Sequence, residues 1–328
     1  MRQGKITSTD VARMLGVSQS MVSRAFNPNA SISDKKRKLV VEGAQKLGYT
    51  PNAMARSLTS KRSGLVAIVT DSETNPIYDE MIRKLSYTIQ EKGGQPVLCV
   101  ADNHNMDTAV NKAIEYQVDG LIIATSRIKN GLLEKCLDHG IQLTFINQYL
   151  NGTEASCFCT DNRLAGEQIA DYLISKGLKK TAYLAGDKGS MVNEQRWEGF
   201  RDRLLHHGTT PPLYVPGTFS FSSGIESTKT VRKHLKDIEA VFCANDIIAI
   251  GLLEGMRESE IVSPPAVIGV DDIPMAAWPT FQLTSYRQPL ARLIDEAVSQ
   301  LLQRIDNELK ADMQYHFYTG ELIVRKTA

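Results

Sequence analysis

The sequence predicts an α/β protein in which a small three-helix head precedes a larger body of helices wrapped on parallel sheets. Three observations lead there. Capped helical periodicity fills roughly the first 48 residues, and from Leu65 onward apolar strand-like runs alternate with helical patterns. Charge also divides the chain: residues 1–64 hold twelve Lys or Arg against three acids, net +9, while the rest holds 26 against 34, net −8. The whole-chain charge of +1 hides this division.

The head reads element by element. Thr7 is placed to cap a helix from about Ser8 to Leu15, with Asp10 at its third position, where a carboxylate reaches back to free backbone N–H groups. Gly16 ends that helix. Ser18 caps a second helix in which Val22, Ala25 and Phe26 recur at i, i+3, i+4 and face inward, leaving Gln19, Ser20, Ser23, Arg24 and Asn27 outside. A third helix follows Ser33 and runs to Leu47, with Val40, Ala44 and Leu47 as its inner stripe and Gly48 as its stop.

A helix, a tight turn and a second helix bearing amide, hydroxyl and guanidinium groups suit the major groove, where every base pair presents a distinct donor and acceptor pattern. The candidates there are Ser18, Gln19, Ser20, Met21, Ser23, Arg24 and Asn27, with Arg24 able to fork onto guanine O6 and N7. A cationic head is drawn to the phosphate backbone with strongly salt-dependent affinity. The run Lys35-Lys36-Arg37-Lys38 is either a set of phosphate contacts or a solvated helix face.

Composition narrows the remaining classes. At 328 residues, 42% apolar and 23% charged, the chain has material for the head and a two-lobed body. No apolar run approaches the ~18 residues of a membrane span, and the start is polar and basic without a signal-peptide core, so a cytoplasmic protein is expected. The five cysteines, at 99, 136, 157, 159 and 243, are scattered, as in a reducing compartment. Cys157 and Cys159 flank Phe158 on one strand-like run, yet no further ligands stand at zinc spacing; no metal and no cofactor are expected. The histidines are dispersed, and His206-His207 sit at a helix end where the dipole favours them.

Between head and body, Ala53 to Leu58 has good helix formers but is too short to be helical alone, and Thr59 to Gly64 reads as a linker. Strands are expected at Leu65 to Val69, Pro96 to Val100, Gly120 to Ile123, Gln142 to Ile146, Thr181 to Leu184, Ala240 to Cys243 and Ala266 to Val270. Helices are expected near 78–92, 106–117, 131–139, 162–176, 193–207, 222–236, 246–258 and 290–309. One sheet of so many strands would be unusually wide. Two doubly wound lobes follow, with a ligand site where the strand C-terminal ends face one another.

Asp10-Val11-Ala12 through Val22-Ser23-Arg24, then Leu47-Gly48-Tyr49-Thr50-Pro51-Asn52, and finally Glu321-Leu322-Ile323-Val324-Arg325 resemble, in order and spacing, the LacI/GalR family of bacterial transcription regulators. The resemblance covers essentially the whole chain and implies a periplasmic-binding-protein-like core. It implies a helix-turn-helix domain at 1–50, a hinge helix and linker at 51–64, and an effector-binding and dimerisation core at 65–328. Lobe one would take about 65–161 and 289–318, and lobe two about 162–288 and 319–328, with crossings near 162, 288 and 319. A homodimer would place two recognition helices on a palindromic double-stranded DNA operator while paired hinge helices enter the minor groove. The hinge candidates are then Asn52, Ala55, Arg56 and Leu58, with Leu58 as the apolar wedge in a base step and Ala55 against the groove floor.

The same resemblance populates the cleft. Asn75-Pro76 matches a turn whose helix N-terminus points at the ligand; Ile77 stands where an aromatic is frequent, and Tyr78 follows. Arg196 matches an arginine that grips the effector with its planar donor fork, and Asn245-Asp246 and Asp271 match its amide and carboxylate partners. Phe219 either stacks on the ligand or anchors its loop. Ser126 and Asn147 complete the set, Asn147-Gln148 replacing a frequent Asp-Arg pair. An arginine among acids suits a polyhydroxylated ligand, whose hydroxyls both donate and accept, or else forms a structural ion pair.

The expected function is a dimeric repressor controlled allosterically by a small metabolite, a sugar or sugar derivative, between the lobes; inducer and corepressor logic both fit. The alternatives are a two-lobed solute-binding protein, which would need export, and a corepressor-dependent regulator sensing a nucleobase-like ligand. A nucleotide-using enzyme finds no support, since neither G-x-G-x-x-G nor G-x-x-x-x-G-K-[ST] occurs and no nucleophile adjoins a base. The chain closes soon after Val324-Arg325 without a heptad-bearing tail, so a dimer is expected rather than a tetramer.

Overall fold

The structure, a computed structural model, describes residues 6–27, 30–50, 62–70, 75–101, 105–124, 132–148, 155–307 and 314–328. The candidates Asn52, Ala55, Arg56, Leu58 and Ser126 lie outside these. The chain divides into two units, Met1–Ser63 and Gly64–Ala328.

In the first unit, α1 (Ser8–Leu15) begins with a reciprocal cap: Thr7 N donates to Asp10 Oδ2 at 3.1 Å and Asp10 N to Thr7 Oγ1 at 3.3 Å. Gly16, at φ 64, turns the chain left-handed and bonds back to the Ala12 and Arg13 carbonyls. Ser18 caps α2 (Gln19–Ala25) by accepting from Met21 N at 3.2 Å. The third helix, α3 (Asp34–Lys46), starts after Ser33, which makes no side-chain cap bond. Val11, Ala12, Val22, Ala25, Val40 and Ala44 form the core, with Phe26 and Tyr49 meeting edge to face at 5.7 Å beside it. Each fully buried valine contributes about 1.5–3 kcal/mol relative to exposure. So small a core leaves the head dependent on its caps and polar ties.

The second unit holds two six-stranded sheets. In chain order its elements are β1 (Leu65–Thr70), α4 (Pro76–Glu91), β2 (Gln95–Val100), α5 (Met106–Glu115), β3 (Gly120–Ile123), α6 (Leu132–Asp138), β4 (Gln142–Ile146), β5 (Ser156–Thr160), α7 (Asn162–Ser175), β6 (Thr181–Leu184), α8 (Met191–His206), β7 (Leu213–Val215), α9 (Phe221–Lys233), β8 (Ala240–Cys243), α10 (Asp246–Glu258), β9 (Ala266–Asp271), a 3₁₀ turn (Pro274–Ala277), β10 (Thr284–Arg287), α11 (Leu290–Ile305), β11 (Tyr315–Tyr318) and β12 (Glu321–Ile323). The first sheet runs β11-β5-β4-β3-β1-β2, all parallel. The second runs β12-β10-β9-β8-β6-β7, parallel except that β12 lies antiparallel to β10, with Tyr286 opposite Leu322.

Connectivity places the cleft. After β5 the chain moves to the second sheet, α11 returns to pack on α4 and β4, β11 joins the edge of the first sheet, and β12 ends in the second. Apolar strands buried on both faces explain the uninterrupted runs, as in Val66–Val69 and Ala240–Cys243. Cys99, Cys136, Cys157 and Cys159 share one apolar layer on the first sheet, and burial raises the Cys136 thiol to about 11. They fill that layer as small side chains, the Cys159 thiol also donating to the Gln148 carbonyl at 3.1 Å. Helix pair α7 and α8 approaches closely, since a Cβ on Gly166 would stand 2.3 Å from the Arg196 carbonyl oxygen.

Beyond the expected strands and β5, which contains the strand-like Cys157–Cys159 run, four strands lack the expected pattern. The three-residue β7 and β12 are too short to show alternation, Thr284-Ser285-Tyr286-Arg287 is largely polar, and Tyr315-His316-Phe317-Tyr318 lacks aliphatic residues. Among the described strands β12 alone runs antiparallel, at the edge of an otherwise parallel sheet; a strand arriving directly from the neighbouring sheet need not follow a right-handed helical crossover. The helix expected to 309 ends at Ile305, and that expected to 236 ends at Lys233.

Candidate DNA-reading helix and ligand cleft

On α2 the buried side chains are Val22 and Ala25, while Ser18, Gln19, Ser20, Ser23, Arg24 and Asn27 are exposed. Met21 is half-buried against the head core. Some exposed groups have structural work as well: Ser18 caps the helix, Gln19 Nε2 donates to Ser8 Oγ at 3.2 Å, and Arg24 Nε donates to the Ser20 carbonyl at 3.3 Å. The lysine-rich run divides. Lys35, Lys36 and Lys38 are exposed, but Arg37 is half-buried and turns toward the end of α2.

In the second unit, one cavity with about 50 Å³ of free volume brings together Asn75, Tyr78, Asn147, Arg196, Phe219, Asn245 and Asp271. Asn75, Asn147, Phe219 and Asn245 come from segments following β1, β4, β7 and β8, Asp271 is the last residue of β9, and Tyr78 and Arg196 stand on α4 and α8. Met81, Ser190, Val192 and Gln288 complete the wall and were not singled out from sequence, and Ile77 joins them beside the Asn75-Pro76 turn. Gln288 sits on the connection from β10 to α11, where nothing local marks it as functional.

Hydrogen bonds explain how the polar groups are held. Asn75 caps α4 by accepting from Ile77 N at 3.2 Å, and its Nδ2 donates to Asp271 Oδ2 at 2.8 Å. Gln288 Nε2 donates to the other Asp271 oxygen at 2.6 Å, and Gln288 Oε1 accepts from Asn147 Nδ2 at 3.0 Å and Thr160 Oγ1 at 2.8 Å. This chain of side chains ties the carboxyl end of β9 in the second sheet to residues of the first. Arg196 is held separately, its Nε donating to Asn162 Oδ1 at 2.8 Å and its Nη1 to the Ala244 carbonyl at 2.6 Å. Among the described residues Arg196 and Asp271 make no ion pair within 4.0 Å, contrary to the structural-pair reading. Both charges therefore remain oriented toward the cavity by neutral partners.

Asn245 caps α10 by accepting from Ile248 N at 3.0 Å, while its buried Nδ2 has no hydrogen-bond partner among the described residues. A buried donor without a partner costs about 1–3 kcal/mol, which a ligand acceptor would relieve. Asp271 adopts φ 119, a conformation unfavourable for a residue with a Cβ. The next residue clamps it: Asp272 pairs with Arg287 Nε and with Arg325 Nη2, each at 2.7 Å. The closing segment of the chain thus braces the cleft.

Burial raises the Asp271 carboxyl, and the positive Arg196 acts against that rise. Asp246, fully buried behind it, is raised well above the usual carboxylate range by burial first and by the charge of Asp271 second. Ser285 Oγ donates to Asp246 Oδ1 at 2.6 Å and Ile273 N to Oδ2 at 2.9 Å, so its oxygens are engaged away from the ligand space. Asp246 supports the cavity rather than lining it.

Comparison with known proteins gives concordant matches. The profile for bacterial regulatory proteins of the lacI family matches residues 7–52, and that for a periplasmic binding protein-like domain matches residues 170–328. The ribose operon repressor of Escherichia coli (strain K12) is 30% identical over 306 residues, covering 91% of this chain and 93% of that protein. A lac repressor dimer solved with operator and the anti-inducer ONPF superposes with a TM-score of 0.83 at 24% identity, over 98% of this chain and 99% of that one. A LacI family regulator from Enterococcus faecium, solved with bound ribose, gives 0.72 at 23% identity, over 80% of this chain and 98% of that one.

Proposed function

The chain belongs to the LacI family of bacterial regulatory proteins, and on that footing we propose that it is a homodimeric transcriptional repressor whose hold on a palindromic DNA operator is set by a small sugar in the cleft. One observation carries the proposal. Helix α2 buries Val22 and Ala25 and exposes Gln19, Ser20, Ser23, Arg24 and Asn27, on a head whose residues 1–64 carry a net charge of +9. Phosphate attraction supplies affinity and the exposed side chains supply base discrimination. Such a protein works where the chromosome lies, in the cytoplasm, and binds rather than transforms its ligand.

The cleft supports a compact polyhydroxylated ligand. Asp271 offers acceptor oxygens, Asn245 Nδ2 an unmatched donor, and Arg196 a fixed cation; a sugar hydroxyl both donates and accepts. The relatives named for ribose, or holding it, make ribose the first compound to test. Binding shifts the equilibrium only through unequal affinity for two lobe arrangements. The bonds from Asn75 and Gln288 to Asp271 supply that inequality, since a hydroxyl taking those oxygens competes with contacts that join one sheet's residues to the other's.

The rings of Phe219 and Tyr78 in the wall favour a nucleobase as the second ligand class, through stacking. A melting screen of the full chain against pentoses, hexoses, sugar acids and nucleobases separates the two, because a ligand of the native state raises the melting temperature. A rise with ribose or another sugar supports the proposal. A rise with nucleobases alone replaces the ligand class, and binding to no duplex DNA at 50 mM salt removes the repressor reading.

A further inference from the structure

The lysine-rich run at the start of α3 contains one residue that behaves unlike its neighbours. Lys35, Lys36 and Lys38 are exposed, whereas the half-buried Arg37 extends across to another helix. Its Nη1 donates to the carbonyls of Ala25 and Asn27, both at 2.9 Å, and its Nη2 to the carbonyl of Ala30 at 3.0 Å. Ala25 is the last residue of α2, and Asn27 and Ala30 lie just beyond it.

Carbonyls at a helix C-terminus have no partner within the helix and carry the negative end of its dipole. Helix α1 meets this need locally, with Gly16 turning left-handed onto Ala12 and Arg13. Helix α2 has no such turn: its final cap, Phe26, keeps right-handed backbone and bonds only to the Arg24 carbonyl. Arg37 does from α3 what glycine does for α1. A planar guanidinium directs several donors at fixed angles, whereas a lysine ammonium on a flexible stem is a point charge.

We propose that Arg37 is a positioning residue for DNA reading, which fixes the carboxyl end of α2, and with it Arg24 and Asn27, without itself serving as a phosphate contact. The proposal rests on the repressor reading above and adds a division of labour within the basic run. The exposed lysines supply non-specific attraction. Arg37 supplies discrimination.

The test uses the full chain and two duplexes of equal length, one enriched by the parent protein from a randomised pool and one scrambled. Binding of the parent, Arg37→Lys, Arg37→Gln and Lys36→Ala is measured between 50 and 200 mM salt, at a temperature where melting shows each to be folded. Both Arg37 variants are expected to lose tenfold or more on the enriched duplex and little on the scrambled one, with the slope of log affinity against log salt unchanged. A lost phosphate contact instead lowers that slope by about 0.9 and weakens both duplexes alike. Parent-like affinity in Arg37→Lys, or a phosphate-type loss in Arg37→Gln, overturns the proposal. Loss of the head's melting transition in both variants also overturns it, making Arg37 a general stability residue. Failure of the parent to enrich any duplex defeats the repressor reading itself and is thereby distinguishable.

Discussion

The head and the cleft solve opposite problems with similar side chains. On α2 the polar groups face solvent on a scaffold capped within a few residues, as in the Thr7–Asp10 box, so the surface that meets a ligand is specified locally. In the cleft the polar groups are buried and held by partners far along the chain; Asn75 reaches Asp271 across 196 positions. A DNA-reading face can stay hydrated until its target arrives. A buried ligand site needs its charges held in place before the ligand arrives.

The two regions should therefore fail separately, and by different amounts. Arg196→Ala should lower sugar affinity about 100-fold or more, roughly 3 kcal/mol for a buried charge contact, while leaving unliganded operator binding intact. Calorimetry with the sugar and anisotropy with the duplex decide this; a parallel loss in both would break the separation. Asp271→Asn should cost about 1.5–3 kcal/mol of sugar affinity and abolish the sugar's effect on DNA binding. A variant that still responds to sugar would remove Asp271 from the coupling. Arg24→Ala should cost about 1–3 kcal/mol on the operator, relax the preference at one base position and leave sugar affinity unchanged. Weakening that is equal on all duplexes would make Arg24 a phosphate contact.

The smallest effects come from pH, where the regions have opposite signs. Hydrogen bonding from Thr7 holds Asp10 below 3.8, so its cap contribution is present above 3.8 and lost as pH falls through the lowered value. The melting gap between the parent and Asp10→Asn should close on acidification. Burial raises Asp246 well above 3.8, so its proton favours the folded state and its contribution declines as pH rises toward the folded value. Melting of Asp246→Asn relative to the parent should shift in the variant's favour as pH rises from 3.8. Gaps that stay constant with pH would contradict both assignments.

Legibility in the sequence follows the same division. Caps, the Gly16 turn and the Val22–Ala25 stripe are short-range features, so the head could be read from spacing alone. The cleft required the resemblance: motif segments named Asn75, Arg196, Asn245 and Asp271, which the fold brings to one cavity. Gln288 escaped because an isolated glutamine between a strand and a helix has no local signature, and its importance arises only from reaching Asp271, Asn147 and Thr160 together. Arg37 was hidden differently, inside a charge run whose members look alike until one is seen to bond three backbone carbonyls. The Arg325 clamp on Asp272 likewise depends on a β12 pairing too short to be seen in sequence.

The most direct test of the whole account is a titration of the full chain onto its enriched duplex from 50 to 200 mM salt, with and without the sugar that raises its melting temperature. Affinity should fall steeply with salt, as phosphate binding requires, and change at least tenfold when the sugar is present. A titration that shows no duplex binding even at 50 mM, or identical curves with and without a sugar known to bind, would contradict it.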